Sequence, residues 1–324
     1  MTEITLLDGG MGQELIHRTP DDAPTPLWST QVMVNLPGLV AQVHRDFADA
    51  GATVATTNTY AIHRDRVKDT PLEARFNDLY TMALAEARLS KAPRIAGAIG
   101  PLGASYRPDL HPPSDEGAAL YGDIARMLGP SCDLLLCETV CSVLHAESVL
   151  RGATRSGKPV WLSLSVDDTE GTRLRSGEPL ADAIPYAQAG ADAVLINCSA
   201  PEAIPAGLEI LANAGLPYGA YANGFEQISE GFLGDKPTVD TLQSRRDFTP
   251  EAYADHVMGW VDQGATIVGG CCEVSPAHIA EIAARLRAGA IRSSKGPIRC
   301  PISPPTPALS LSVVASSAVR WPIT

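Results

Sequence analysis

The chain has 324 residues, a formal net charge of −12 at pH 7 and a pI near 5.0. A surface this acidic has no electrostatic attraction for a phosphate backbone or an anionic bilayer, which excludes nucleic acid and membrane surfaces as expected partners. Hydrophobic residues make up 45% of the chain at a mean hydropathy of +0.01, a composition typical of a globular domain with a substantial core.

Short apolar segments rich in β-branched residues alternate with longer helical patterns from the N-terminus to about residue 290. The unit of a strand followed by a helix occurs eight times. The predicted strands are 4–8, 53–57, 94–99, 133–137, 160–165, 193–197, 217–222 and 266–269. The predicted helices are 34–50, 72–91, 115–128, 141–157, 179–189, 201–214, 250–263 and 276–288.

The strand pattern predicts a parallel sheet, because segments such as 134–136 and 193–196 are apolar throughout, as strands buried on both faces are. An open doubly wound sheet and a closed (β/α)8 TIM barrel both fit such alternation. Eight units favour the barrel. The Gly-rich turn Asp8-Gly9-Gly10-Met11-Gly12 lacks the spacing of a dinucleotide-binding fingerprint, which weakens the open-sheet alternative.

The end of the chain has a different character. Residues 293–324 are rich in Pro, Ser and Ala without helical or alternating periodicity, which predicts a disordered tail after one barrel domain at 1–292. The first residues lack the basic start and apolar core of a signal peptide, and no apolar run reaches about 18 residues, so we expect a cytoplasmic protein. The odd count of seven cysteines suits reduced thiols better than a disulfide framework.

Three cysteines are the strongest chemical signal. Cys271 and Cys272 follow the eighth predicted strand, and Cys198 follows the sixth. In a closed barrel both positions lie on the C-terminal rim, where active sites are built. Three protein ligands with one open position are typical of catalytic zinc, whereas structural zinc sites usually have four. The alternative is plain burial, because free cysteine is among the most buried residue types.

At this point the chain resembles a known family, the zinc-dependent homocysteine S-methyltransferases, which includes the S-methylmethionine and betaine enzymes. The resemblance spans about residues 4 to 291, and each matching segment lies at a predicted strand end, in order along the chain. The segments are Asp8-Gly9-Gly10-Met11-Gly12 with Glu14-Leu15, Thr56-Thr57-Asn58-Thr59-Tyr60, Gly100-Pro101-Leu102-Gly103, Cys137-Glu138-Thr139, Asn197-Cys198 with Pro201-Glu202, Tyr221-Ala222-Asn223-Gly224, and Gly269-Gly270-Cys271-Cys272 with Pro276 and His278-Ile279.

The resemblance implies a (β/α)8 barrel in which Cys198, Cys271 and Cys272 bind one Zn²⁺ and the sulfur of homocysteine is the incoming ligand. A thiol bound to zinc is deprotonated, whereas a free thiol with a pKa of about 8.5 is mostly protonated at pH 7. The bound sulfur then attacks a methyl group of a sulfonium or quaternary ammonium donor in line. No residue of the protein acts as the nucleophile.

The resemblance also assigns substrate-binding residues, each with a simpler alternative. Asp8 with Gly9 and Gly10 would lie beside the amino acid part of homocysteine, the glycines admitting backbone N–H groups to its carboxylate; alternatively Asp8 is a turn or cap residue. Glu138 would pair with the substrate ammonium, or cap the next helix. Asn223 is a candidate fourth zinc ligand, or only a turn residue of an Asn-Gly pair.

Asn58 and Tyr60 at the rim of the second strand are candidate substrate-positioning groups, although Tyr60 could equally be a packing residue. We expect His278 to cap or pack the last helix. Glu273 departs from the family pattern because it places an acidic residue beside the cysteine pair. The other thiols are expected to have no role in the chemistry; they are Cys132, Cys137, Cys141 and Cys300.

The sequence thus predicts methyl transfer from a sulfonium donor, S-methylmethionine or S-adenosylmethionine, to L-homocysteine, forming methionine. Transfer from betaine, or to another thiol acceptor, is the first alternative, and a non-catalytic zinc-binding barrel is the second. The expected partners are these small molecules, and a homo-oligomer is left open. The sequence does not identify the donor.

Overall fold

The computed structural model describes residues 3–19, 27–226 and 243–293. The predicted tail and its disorder lie, apart from Ser293, outside these residues. The strands are β1 Thr5–Leu6, β2 Val54–Thr56, β3 Arg94–Ile99, β4 Leu134–Val140, β5 Val160–Leu164, β6 Ala193–Asn197, β7 Tyr218–Tyr221 and β8 Ile267–Val268. The α-helices are α1 Met11–Arg18, α2 Trp28–Asn35, α3 Leu39–Ala50, α4 Arg64–Val67, α5 Phe76–Arg88, α6 Ser114–Leu128, α7 Val143–Ala153, α8 Ile184–Gly190, α9 Ile204–Leu211, α10 Pro250–Asp262 and α11 Pro276–Ser293.

The eight strands form one parallel sheet that closes on itself. The strand order is β1-β8-β7-β6-β5-β4-β3-β2, and every pairing is parallel. A parallel bridge between Leu7 and Val54 joins the two outer strands, and the Thr53 N–H donates to the Leu6 carbonyl at 2.7 Å. The predicted (β/α)8 TIM barrel is therefore confirmed.

Alternating strand residues divide the core into an inner and an outer layer. The outer layer lies between strands and helices and contains residues such as Leu135, Leu162 and Ile196. The inner cluster draws on the segments of all eight strands, which is the packing that fills a TIM barrel below its active-site end. Its buried members are Leu7, Val54, Ala96, Leu134, Leu136, Trp161, Ala193, Leu195, Tyr221 and Ile267.

The helices differ from the prediction where the chain turns. The helix predicted at 34–50 begins only at Leu39, as α3, and α2, which ends at Asn35, was not predicted. Leu36-Pro37-Gly38 separates the two helices, because proline disfavours helix in the residue before it. Gly38 has a φ of 92°, which glycine adopts readily. Helix α1 was missed, since the glycines on either side of Met11 indicated only a turn. In the described ranges, no helix combines the length and apolarity that crossing a membrane would require.

Trp260 on α10 should contribute strongly to stability, because its side chain is 1% exposed and contacts Tyr253 edge-on at 5.9 Å between ring centroids. We expect Trp260→Ala to lower the free energy of unfolding by about 3–5 kcal/mol, measured by urea denaturation. Leu89, 56% exposed, supplies the control: Leu89→Ala should stay within about 0.5 kcal/mol of wild type. Equal effects of the two substitutions would contradict this description of the core.

Candidate active site

A cavity opens at the carboxyl ends of the strands, the end of the barrel where TIM-barrel enzymes place their chemistry. Residues at or just after the ends of six strands, in the loop after β3 and at the start of α1 line it. They include Asp8, Gly9, Gly10, Gln13, Thr56, Asn58, Tyr60, Tyr106, Glu138, Asn197, Cys198, Tyr221, Phe225, Cys271 and Cys272. All sequence-predicted site residues except Asn223 are in this lining.

The three predicted cysteines meet in the cavity. The sulfurs of Cys198, Cys271 and Cys272 all lie within 4.8 Å of one another. Cys198 and Cys271 are joined by a disulfide, with their Cα atoms 5.8 Å apart. The expectation of reduced thiols is therefore corrected for this pair: the ends of β6 and β8 bring the two residues within bridging range, which sequence spacing does not reveal.

Backbone hydrogen bonds fix the cysteine pair against its neighbours. The Gly270 N–H donates to the Asp8 carbonyl, and the Cys271 N–H donates to the Ala222 carbonyl, both at 2.9 Å. The Tyr253 hydroxyl donates to the Gly269 carbonyl at 2.6 Å and accepts from the Ala222 N–H at 3.0 Å. Tyr253 thus connects the ends of β7 and β8 directly below the cysteines.

Cys198 has a left-handed backbone conformation, with a φ of 48°. Three other non-glycine residues near the cavity also have positive φ: Tyr106 at 61°, Thr139 at 57° and Glu273 at 66°. Such conformations are unfavourable for residues with a Cβ and concentrate at functional sites. At this end of the barrel the surrounding contacts therefore impose the backbone geometry.

The two predicted glycines allow close packing against the cysteine loop, residues 271–274. A Cβ on Gly9 would lie 2.2 Å from the Val274 carbonyl oxygen, and one on Gly10 would lie 2.7 Å from the Cys271 carbonyl oxygen. The Gly10 N–H donates to the Val274 carbonyl at 2.9 Å. The expectation that this N–H binds a substrate carboxylate is therefore wrong. At the start of α1, which also lines the cavity, the Met11 N–H donates to the Gly9 carbonyl at 3.0 Å, whereas the N–H groups of Gly12 and Gln13 have no partner in the described ranges.

Asp8 is buried and held by Thr56. Its two carboxylate oxygens accept from the Thr56 N–H and the Thr56 hydroxyl, each at 2.7 Å. Burial raises the pKa of Asp8 to about 7, against the lowering effect of the Thr56 hydrogen bonds. A cation entering the cavity would favour the ionised form.

Glu138 is the second buried carboxyl group of the cavity. It accepts a hydrogen bond from the Tyr221 hydroxyl at 3.0 Å, and burial raises its pKa to about 8 despite this bond, with the Asp8 charge adding to the rise. The next residue, Thr139, is clamped by Asn197, whose Oδ1 accepts from the Thr139 N–H at 3.0 Å. Asn197 immediately precedes Cys198, so one side chain links the strand of Glu138 to that of a cysteine.

The other predicted binding residues form hydrogen bonds within the protein. Asn58 donates from Nδ2 to the Ser29 carbonyl at 3.2 Å, which ties α2 to the rim. The Tyr60 hydroxyl bonds the Ser105 hydroxyl at 2.8 Å, and burial raises its pKa to about 12. Asn223 is 2% exposed, and its Oδ1 accepts from the Phe225 N–H at 3.3 Å, so the structure does not bring this candidate fourth ligand into the cavity lining.

His278 caps α11 as predicted, since its Nδ1 lies 2.8 Å from the Ser275 hydroxyl and its Nε2 lies 3.0 Å from the Phe248 carbonyl. Glu273, half-buried next to Cys272, raises the pKa of that thiol, though burial is the larger cause. The remaining described thiols, Cys132, Cys137 and Cys141, are buried and unpaired; Cys141 packs beside Cys198, closer to the site than expected, and Cys300 is outside the described residues.

Sequence reasoning missed several residues that shape the cavity. Thr56 and Tyr221, which hold the two carboxylates, stand in segments that matched the family, so their position at strand ends was the available signal. Gln13 is 5% exposed in the cavity, and a hydrogen bond from its side chain acts to lower the pKa of the Cys272 thiol, against the larger raising effect of burial. No pattern indicated Gln13, because α1 was itself missed.

The contact between Gly10 and the cysteine loop predicts that Gly10→Ala is destabilising by about 1–3 kcal/mol, because backbone atoms of Cys271 and Cys272 would have to move. Urea denaturation measures this change. Gly259 in α10, where a Cβ meets nothing within 4 Å, gives a matched control: Gly259→Ala should be neutral or stabilising by up to about 1 kcal/mol. A Gly10→Ala protein as stable as wild type would show that the loop does not need this close approach.

Glu138 predicts a pH-dependent stability. Between about pH 5 and pH 8 the unfolded chain, with an ordinary Glu pKa near 4.5, loses this proton while the folded protein, with a pKa of about 8, keeps it. The stability of the folded protein therefore falls as pH rises through this range. Glu138→Gln has no proton to lose, so without substrate its unfolding free energy relative to wild type should increase by at least about 1 kcal/mol from pH 5 to pH 8.

The control for this experiment is Glu209→Gln, at an exposed position on α9. Its difference from wild type should stay flat with pH. A flat difference for Glu138→Gln as well would mean that Glu138 is ionised in the empty site at neutral pH.

Comparison with known proteins places this geometry in a family. A model of the family described as homocysteine S-methyltransferase matches residues 5–286. The chain is 31% identical over 307 residues to the homocysteine S-methyltransferase of Escherichia coli K12, covering 87% of this chain and 95% of that protein. Crystal structures of the homocysteine methyltransferase MmuM from Escherichia coli, in metallated and oxidized forms, each match at a TM-score of 0.69 and 29% identity, over 87% of this chain and 96% of theirs. The eight-stranded barrel with cysteines at the ends of β6 and β8 is thus an enzyme of the homocysteine S-methyltransferase family.

Proposed function

We propose that the protein is a zinc-dependent methyltransferase that transfers a methyl group from a sulfonium donor, S-methylmethionine or S-adenosylmethionine, to the thiol of L-homocysteine and forms methionine. The observation that carries this proposal is the presence of three converging cysteine sulfurs in one cavity with two buried carboxyl groups. We further propose that residues 1–292 form the homocysteine-binding domain.

The donor set suits zinc. Two sulfurs on one tetrahedral zinc lie about 3.8 Å apart when each Zn–S bond is about 2.3 Å. The sulfurs of Cys198, Cys271 and Cys272 are within 4.8 Å of one another, so small side-chain movements would satisfy this spacing once the Cys198–Cys271 disulfide is reduced. A thiol reductant must therefore act before these two residues can serve as ligands. The existence of metallated and oxidized structures of the MmuM relative supports two such forms.

When bound, zinc would supply the means to hold the substrate sulfur as a thiolate at neutral pH. The chain's own residues would bind and orient the rest of the amino acid. Asp8 and Glu138 offer carboxylates for the ammonium group, and ionising both becomes favourable as that cation enters. The start of α1 offers N–H groups for the substrate carboxylate.

In the transfer itself the substrate sulfur forms a bond to the methyl carbon, and the bond between that carbon and the donor sulfur breaks. The electron pair stays on the donor sulfur, which leaves as a neutral thioether, so no proton needs to move in this step. Four aromatic residues, Tyr60, Tyr106, Tyr221 and Phe225, line the cavity. Aromatic faces attract cations, which favours a positively charged methyl donor.

The test is an assay of methionine formation by the reduced, zinc-loaded protein with homocysteine and one donor at a time: S-methylmethionine, S-adenosylmethionine or betaine. We expect one bound zinc per chain and turnover with a sulfonium donor. Turnover with betaine alone would overturn the donor assignment, and turnover only with another thiol would overturn the acceptor. Bound zinc without methyl transfer to any thiol would indicate a non-catalytic zinc barrel.

The cysteine variant completes this test. Cys271→Ser should lose both zinc and activity while the barrel keeps its circular dichroism spectrum, because the site lies at the rim rather than in the core. Cys132→Ser makes the same chemical change at a buried thiol outside the cavity and should keep both. A Cys271→Ser protein that still binds zinc and turns over would contradict the proposed ligand set.

A further inference from the structure

The zinc ligand proposed at position 198 lies in a turn whose conformation depends on contacts with other parts of the chain. Cys198 has a φ of 48°, a conformation that residues with a Cβ rarely adopt without help from their surroundings. The direction of its side chain depends on this backbone geometry. The contacts that maintain the turn over residues 198–200 therefore decide where the sulfur points.

Two charged side chains of the loop between β5 and α8 form hydrogen bonds to the backbone at both ends of this turn. Arg175 donates from Nη2 to the Cys198 carbonyl at 3.2 Å and to Asp168 Oδ1 at 2.7 Å. The same Asp168 oxygen accepts from the Ala200 N–H at 2.8 Å. One ion pair thus hydrogen-bonds both the carbonyl at the start of the turn and the N–H at its end.

The ion pair is itself largely buried. The side chains of Arg175 and Asp168 are each 11% exposed, and the Arg175 guanidinium carbon lies 4.8 Å from the ring centroid of Tyr106, which lines the cavity. Between Cys198 and Ala200, the Ser199 hydroxyl accepts from the Val166 N–H at 2.9 Å. A buried arginine in this arrangement costs desolvation, which its pairing with Asp168 and its contact with Tyr106 offset.

We propose that Arg175 is a positioning residue for the zinc ligand Cys198, acting with Asp168 to present the cysteine sulfur toward Cys271 and Cys272 before the metal binds. The inference rests on the proposed function, since it takes these three cysteines as the ligands. Arginine suits this role because a planar guanidinium forms directed bonds to a carbonyl and a carboxylate together. Glutamine at position 175 would lose the charge and the reach needed to hold both.

The test is the zinc affinity of the reduced, full-length protein, measured by competition with a chromophoric chelator. Arg175→Gln should bind zinc about 10- to 100-fold more weakly than wild type, as is usual when a residue that orients a metal ligand is removed. After cobalt substitution, its thiolate-to-cobalt absorption band should also shift or weaken. Arg173, on the same loop but 48% exposed and paired with Glu170, gives the control: Arg173→Gln should stay within about twofold of wild type.

Thermal unfolding separates positioning from a merely structural role. An Arg175→Gln protein that melts earlier but binds zinc as tightly as wild type, with an unchanged cobalt spectrum, overturns the inference and leaves the proposed function standing. A wild-type protein that binds no zinc overturns both. If Arg175→Gln does not fold, Asp168→Asn decides in its place: weaker zinc binding supports the inference, and wild-type affinity overturns it.

Discussion

The approach of the ends of β6 and β8 is the constraint on which the rest of this site depends. Cys198 and Cys271 are 73 positions apart in sequence, yet the closed sheet brings their Cα atoms to 5.8 Å. Closure requires β1 to pair with both β8 and β2, and the Gly270 N–H is bound to the Asp8 carbonyl at that seam. The same geometry that permits a disulfide between two of the cysteines permits a three-sulfur metal site.

The buried carboxyl groups of the cavity lower the stability of the folded protein. Asp8 and Glu138 are both buried, and burial holds the pKa of each well above its ordinary value. Thr56 and Tyr221 keep these carboxyl groups aimed without neutralising them. Such destabilised groups are typical of sites that await a partner of opposite charge. An ammonium group next to a sulfur bound by zinc would supply that partner, and few ligands other than a sulfur-containing amino acid carry both.

Sequence periodicity predicted the barrel because each strand is a distinct apolar run and each rim residue follows one. The same reasoning predicted that Cys198, Cys271 and Cys272 would converge, since all three follow strands of a closed sheet. The disulfide state could not be predicted, because it depends on distances between Cα atoms rather than on spacing. Nor could the commitment of the Gly10 N–H to Val274 or of the Asn58 amide to Ser29, since both bonds are made across long sequence separations.

Contributions from loops were the least predictable part of the site. Arg175 lies 23 positions before Cys198, in a stretch that carries no periodic signal, and its role emerges only from its bonds to the Cys198 carbonyl and Asp168. Gln13 belongs to a helix whose glycines indicated a turn. Motifs at strand ends identify the residues that face the cavity and the strand residues that hold its carboxyl groups, whereas Arg175 and Gln13 lie outside the strands.

The central claim is that the three cysteines hold a zinc ion to which the homocysteine sulfur binds. X-ray absorption at the zinc edge of the reduced, zinc-loaded protein tests this claim most directly, because it counts sulfur neighbours of the metal. The account predicts three sulfurs and one lighter atom without substrate, changing to four sulfurs when homocysteine is added. A zinc environment that is unchanged by homocysteine, or that contains fewer than three sulfurs, would contradict it.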